Sequence, residues 1–277
     1  MLNLIKMNLY RMLHTTNIYI LLIISFLFAL LSVSMIDSYK DFQVAAEQME
    51  SETDDNVNIT FGISSNVPIN DDGTIPSFLE YYIADVASGI ALLFLIIGSV
   101  LFVNREAKSG FVKNIVTQTE HRVNIYISKL ITLIIYIVVS LLLYGLAEYI
   151  MLMIYYKGDM IFGIAVFDDF IIRFMLFILL YAAFISGTTM LTTITKSTTL
   201  GITIGMLTLM GGTSMIYTFI SEMIDLNISK YTITDSIKNL SMMTSSDDML
   251  KIFILGIGYT IVYNLIAMIY FTKKDVV

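Results

Sequence analysis

The sequence predicts an all-α integral membrane protein with six transmembrane helices, and three observations lead there. Hydrophobic residues make up 57% of the 277-residue chain and charged residues 14%, where a soluble domain is about half apolar and about a quarter charged. Mean hydropathy is +0.80. The apolar residues fall into runs near the ~20 residues that cross a bilayer as a helix, not the ~10-residue alternating segments of a barrel.

The six runs are Ile18–Ile36, Ile83–Val103, Leu130–Tyr155, Ile171–Ile194, Leu200–Ile220 and Ile252–Phe271. No small-residue cleavage pattern follows the first run, so it is expected to stay as an anchor. The fourth and fifth runs are nearly continuous. Lys196 is the one charge between them, which predicts a tight turn there.

An even number of spans places both termini on one side. That side holds ten basic residues: Lys6, Arg11, Arg105, Lys108, Lys113, Arg122, Lys129, Lys196, Lys273 and Lys274. The other side holds six: Lys40, Lys157, Arg173, Lys230, Lys238 and Lys251. The basic excess makes the first side cytoplasmic. Acids sharpen the contrast. Three lie inside (Glu106, Glu120, Asp275), Glu148 lies in a span, and nineteen fall outside, Asp85 among them. The net charge of −7 is thus an outer-face property.

Residues 1–16 predict a separate element before the first span. On a helical wheel Leu2, Ile5, Leu9, Met12 and Leu13 share one face, while Asn3, Lys6, Arg11 and His14 take the other. A basic amphipathic helix of this kind lies in the inner interface, with Lys6 and Arg11 toward headgroups; a short helix that merely precedes the span has the same pattern. Residues 37–82 form a polar outer loop that contains both prolines, Pro68 and Pro76. Residues 222–250 form a second polar outer segment. No second soluble domain is expected, and the whole chain, 1–277, reads as one transmembrane domain.

Several chemistries are excluded or left without support. With no cysteine there is no disulfide framework. The two histidines, His14 and His121, are too few for a zinc site. No H-E-x-x-H or G-x-S-x-G motif occurs, and no Walker A pattern, G-x-x-x-x-G-K-[ST]. No catalytic residue, metal or cofactor is assigned to the chain, and no nucleic-acid partner is expected.

The stretch Asn104–Lys129 carries Arg105, Lys108, Lys113, Arg122 and Lys129 against only Glu106 and Glu120. Phe111, Val112, Ile115 and Val116 give it an apolar edge, and Gly110 permits a bend. Thr117-Gln118-Thr119-Glu120 matches a capping box, so a new helix is expected to start there and run through Lys129 into the third span. The expected shape is helix, break, helix.

That arrangement resembles the permease subunits of ABC-2-type transporters (type V exporters). The matching residues are Glu106 leaving the second span, Gly110 four later, then Lys113; His121-Arg122 and Ser128-Lys129 precede the third span. The chain departs from the family at Phe111, where a threonine is common, and in lacking a proline before the His-Arg pair. On length and loop pattern it is most similar to the bacitracin and lantibiotic self-protection permeases. The resemblance implies a bacterial cytoplasmic-membrane protein and a coupling loop in which Glu106, Gly110, Lys113, Arg122 and Lys129 meet a separate ATPase. That partner would bind ATP-Mg, and a second permease subunit, identical or homologous, would complete the pathway. The implied cargo is a hydrophobic or cationic, antimicrobial-type peptide moved outward. A sensor or assembly protein with ligand-binding outer loops is the alternative.

Other residues have two readings each. Glu148, in Tyr144-Gly145-Leu146-Ala147-Glu148-Tyr149, either faces a substrate pathway or sits near water at the outer end of its span. The Ser/Thr/Gly-rich stretch from Ser186 to Ser214 either lines a pathway with hydroxyls, Thr203 and Thr208 among them, or packs helices closely through Gly201 and Gly205. Packing is the simpler of the two.

Overall fold

The computed structural model describes residues 1–34, 77–108, 122–156, 167–213, 217, 219–221, 231–240 and 244–273. Among these, every regular element is a helix: α1 Leu2–Leu13, α2 Thr16–Ser34, α3 Phe78–Ser88, α4 Ile90–Lys108, α5 Arg122–Tyr156, α6 Phe167–Thr195, α7 Thr198–Leu209, α8 Ile233–Asn239 and α9 Ser246–Lys273. Four helices, α2, α5, α6 and α9, are long and apolar enough to cross a bilayer, and the bent pair α3–α4 makes a fifth candidate. The chain is therefore a multi-pass helical membrane protein.

The bundle is built around α6, which packs on α3, α4, α5, α7, α8 and α9. Its centre is a layer of aliphatic and aromatic side chains, including Leu92, Ile96, Ile137, Leu141, Phe177 and Leu180. The peripheral spans point the other way. Ile20, Ile23, Leu27 and Leu31 recur every three or four residues on α2 and are exposed, as are Ile254, Ile261, Leu265 and Ile269 on α9. Such stripes are incompatible with water and natural against lipid.

Contacts fix two ends. At one, Tyr81 of α3 donates to Ser32 of α2 (3.3 Å), and Phe78 stacks edge-on against Tyr149 of α5. At the other, Tyr270 of α9 donates to the carbonyl of Ile194 near the end of α6 (3.1 Å).

Three expected boundaries gain detail. The second run is a helix that begins at Phe78, earlier than Ile83, with the Ser77 amide donating to Glu80 Oε2 (3.1 Å). Glu80 thus serves the first turn as an N3 carboxylate. That run breaks at Gly89, which has φ +86°, and the two halves differ by 52°. The third run is one 35-residue helix, Arg122–Tyr156, so the expected continuity through Lys129 is present; its expected cap at Thr117 and Glu120 lies outside the described residues. Within the fifth run the helix α7, Thr198–Leu209, is 12 residues long. At ~18 Å it is shorter than the ~30 Å hydrocarbon. It stops at a glycine pair: Gly211 takes φ +84° and the Gly212 amide returns to the Leu207 carbonyl (2.8 Å), a left-handed helix ending that glycine adopts without strain.

The turn expected at Lys196 is there. Lys196 has φ +56°, and Ser197 caps α7 by accepting from the Leu200 amide (3.4 Å). The glycine pair behind it packs. Gly201 and Gly205 are buried on α7, and a Cβ on Gly205 would lie 2.8 Å from Thr188 Cγ2 of α6 and 3.0 Å from Ile96 Cγ2 of α4. Small residues therefore let α7 sit directly on α6 and α4.

Candidate functional site

Two buried carboxyls meet where the second span breaks. Asp85 lies one turn before Gly89 on α3 and is 4% exposed; Glu148 on α5 is 0% exposed. Neither Glu148 oxygen has a hydrogen-bond partner among the described residues. An ionised side chain deep in a span costs roughly 2.5–3.5 kcal/mol on insertion scales, so such residues mark functional sites by default.

Local chemistry holds this arrangement. Tyr144 and Glu148 are four residues apart on α5 and share a face. Tyr144 donates to Asp85 Oδ2 at 2.6 Å, which brings Asp85 to the same face. Tyr181 of α6 donates to the Val86 carbonyl at 2.7 Å. That carbonyl sits in the last turn before the break and also accepts from the Gly89 amide (3.1 Å). Tyr82 of α3 donates to the Leu141 carbonyl of α5 at 3.0 Å. The Ser88 hydroxyl accepts from the Ile90 amide (3.3 Å), giving the first turn of α4 a partner. Backbone freed by a break is tolerated at membrane depth when it is satisfied this way. An apolar groove of ≈ 260 Å³ lined by Phe78, Tyr82, Leu141, Gly145, Phe170 and others flanks the pair.

Elsewhere, Tyr259, 13 residues into α9 and so ~20 Å from its start, donates to the Tyr231 carbonyl at 3.0 Å. The residues leading into α8 therefore lie against the middle of α9. There they border a cavity of ≈ 280 Å³ whose lining includes Thr188, Thr208, Tyr217, Thr232, Thr234 and Tyr263.

The expected site residues disperse. Glu148 is buried, which removes its reading as a water-exposed helix end. Thr208 lines the 280 Å³ cavity, whereas Thr203 is exposed on α7. Glu148 is not among that cavity's lining residues, so the three do not form one site. Hydroxyls of the stretch mostly turn inward on their own helix: Thr188 and Thr189 donate to the Ile185 carbonyl and Thr192 to that of Thr188. Asp85 and Arg173 were counted with the outer-face charges and are both buried in candidate spans. Arg173 is 3% exposed, donates to the Asp169 and Thr244 carbonyls and lies 3.8 Å from the Asp169 carboxylate.

At the opposite end, the borders of the basic stretch meet α1. Asn8, 2% exposed, donates to Ser128 Oγ of α5 at 3.0 Å. Arg105 near the end of α4 donates to Thr15 Oγ1 at 3.3 Å. Lys129 is buried, its ammonium 5.7 Å from the Phe271 ring centroid, within cation–π range. Glu106 lies in the last turn of α4 and Arg122 opens α5; their side chains, and Gly110 and Lys113 altogether, lie outside the described residues. On α1 Lys6 is exposed and Arg11 half-buried. The helix docks by Asn8 and Met12 and leaves Leu2 and Leu13 exposed, so its packed face is rotated from the apolar face expected on the wheel.

Glu148 was legible as an ionisable residue inside a run. Asp85 was missed because it sits two residues into its run, where an acid reads as a helix end. Its signal was Ser88-Gly89 four residues on, a break inside an apolar stretch. A scan against protein-family models finds no match, and a search of curated proteins finds none either.

Proposed function

We propose that this chain is the permease subunit of an ATP-driven exporter of the ABC-2 type. In this reading it has six spans, with α7 and its continuation as the fifth, and both termini lie in the cytoplasm of a bacterium. A separate P-loop ATPase binds ATP-Mg and drives it, a second permease subunit completes the path, and the cargo is a hydrophobic or cationic peptide.

The observation that carries the reading is the joint made by α1 with both borders of the basic stretch. Asn8 reaches Ser128 at the start of the third span, and Thr15, between α1 and α2, meets Arg105 at the end of the second. A push on residues 104–129 is then delivered at once to α1, α2, α4 and α5. The interrupted backbone at depth supports the transport part, because non-helical segments within a membrane persist where they line a cavity or pathway.

The test is purification of the full chain from its own cells. The reading expects an ATPase with a P-loop to co-purify, and Arg122→Glu to leave that ATPase hydrolysing ATP without moving cargo. Absence of any such partner, or full coupling in Arg122→Glu, would count against it. The natural chain has no cysteine, so single cysteines at Lys6, Lys196 and Lys251 read sidedness directly. The first two are expected to label from the cytoplasm and the third from outside.

A further inference from the structure

We propose that Asp85 and Glu148 form a proton-binding site inside the bundle, with Glu148 as the residue that takes the proton. This stands apart from the identity of the motor.

Among the described residues, neither carboxyl has a cationic partner. Both carboxyls are nine-tenths buried or more, and neither Glu148 oxygen has a partner among the described residues. The neighbouring hydroxyls are already committed: Tyr82 to Leu141, Tyr181 to Val86, Tyr144 to Asp85. The packed elements supply no counter-charge. α2 carries no charged residue along its length. On α6, Arg173 donates to the Asp169 and Thr244 carbonyls and lies 3.8 Å from the Asp169 carboxylate. On α9 Lys251 pairs with Asp248 at the exposed end (2.8 Å). Asp235 and Lys238 lie on α8, and Arg105, near the end of α4, donates to Thr15.

Two adjacent carboxyls without a cation cannot both be ionised in a low-dielectric site. Asp85 already has a donor in Tyr144 (2.6 Å), whereas neither Glu148 oxygen has one among the described residues. The proton therefore goes to Glu148: hydronium and the Glu148 carboxylate give the carboxylic acid and water. A metal fits poorly. No group of three or more His, Cys, Asp or Glu residues exists among the described residues, and the nearby Leu141 and Val86 carbonyls, which a hard cation would need as ligands, accept from tyrosines.

The site also sits where movement would change it. Asp85 rides on α3, an 11-residue segment joined to α4 only through Gly89, while Glu148 rides on the long α5. Swinging α3 outward separates the carboxyls, admits water to Glu148 and releases the proton.

The experiment is infrared difference spectroscopy on the full-length protein in lipid nanodiscs. At neutral pH we expect a protonated-carboxyl C=O band that shifts in D₂O, shifts with ¹³C-glutamate and not with ¹³C-aspartate, and vanishes in Glu148→Gln. Isotope labelling gives the answer without a variant, should Glu148→Gln fail to fold. No band at neutral pH, or a band that moves with aspartate label alone, overturns the assignment. Loss of the band on adding sodium overturns it in favour of an alkali cation. A missing ATPase partner would leave the band unchanged, and a missing band would leave ATPase association unchanged.

Discussion

Replacing Gly89 with alanine distinguishes a broken second span from a straight one by the sign of the stability change. In a continuous helix alanine is better than glycine by about 0.8–1.0 kcal/mol, so the variant would be stabilised. In the observed backbone Gly89 has φ +86°, where a Cβ collides with the following carbonyl at a cost of about 1–2 kcal/mol. The new methyl would also lie 2.9 Å from Leu209 Cδ1 of α7. That contact is the far end of a flexible side chain and yields by a rotamer change, so backbone strain dominates. The expected result is a loss of about 1–2 kcal/mol, seen as a lowered midpoint in thermal unfolding of nanodisc-embedded protein. Adding Leu209→Ala to both backgrounds tests the partition: if strain dominates, the alanine penalty persists. Equal or raised stability in Gly89→Ala would refute the break and with it the placement of Asp85.

Other expectations follow from particular contacts. Tyr181→Phe removes the 2.7 Å donor to the Val86 carbonyl, which keeps its bond from the Gly89 amide (3.1 Å), and should cost about 0.5–1.5 kcal/mol by the same unfolding measurement. Gly205→Leu must push Thr188 and Ile96 aside; overpacking of about 1–3 kcal/mol is expected, with α7 amides exchanging faster. Asn8→Ala should cost only about 0.5–1.5 kcal/mol, because Ser128 Oγ keeps its bond to the Ile125 carbonyl (2.8 Å). If α1 relays force, the same change lowers transport per ATP while stability barely moves, as measured in reconstituted complex.

Most of the scaffold was legible because a bilayer imposes length and polarity on any chain that crosses it. Ile18–Ile36 and Ile252–Phe271 coincide with the membrane-length helices α2 and α9 for that reason; which of their apolar residues are exposed is decided by packing. Lys196 was legible because one charge between two apolar runs has nowhere to go but a turn. Gly201 and Gly205 signalled close packing, since a missing side chain at four-residue spacing flattens one helix face.

The sequence by itself thus determined that this is a multi-pass helical membrane protein and that its chain turns at Lys196. Only the tertiary structure decided what the polar residues inside those spans do. Asp85 and Glu148 are 63 residues apart in number, and no local pattern relates them. They meet because Gly89 breaks one helix, Tyr144 reaches across from another to Asp85, and Tyr181 from a third steadies the carbonyl at the break. Hydropathy reports the cost of burying each residue singly; whether that cost is offset depends on which donors other helices bring, and packing alone settles that.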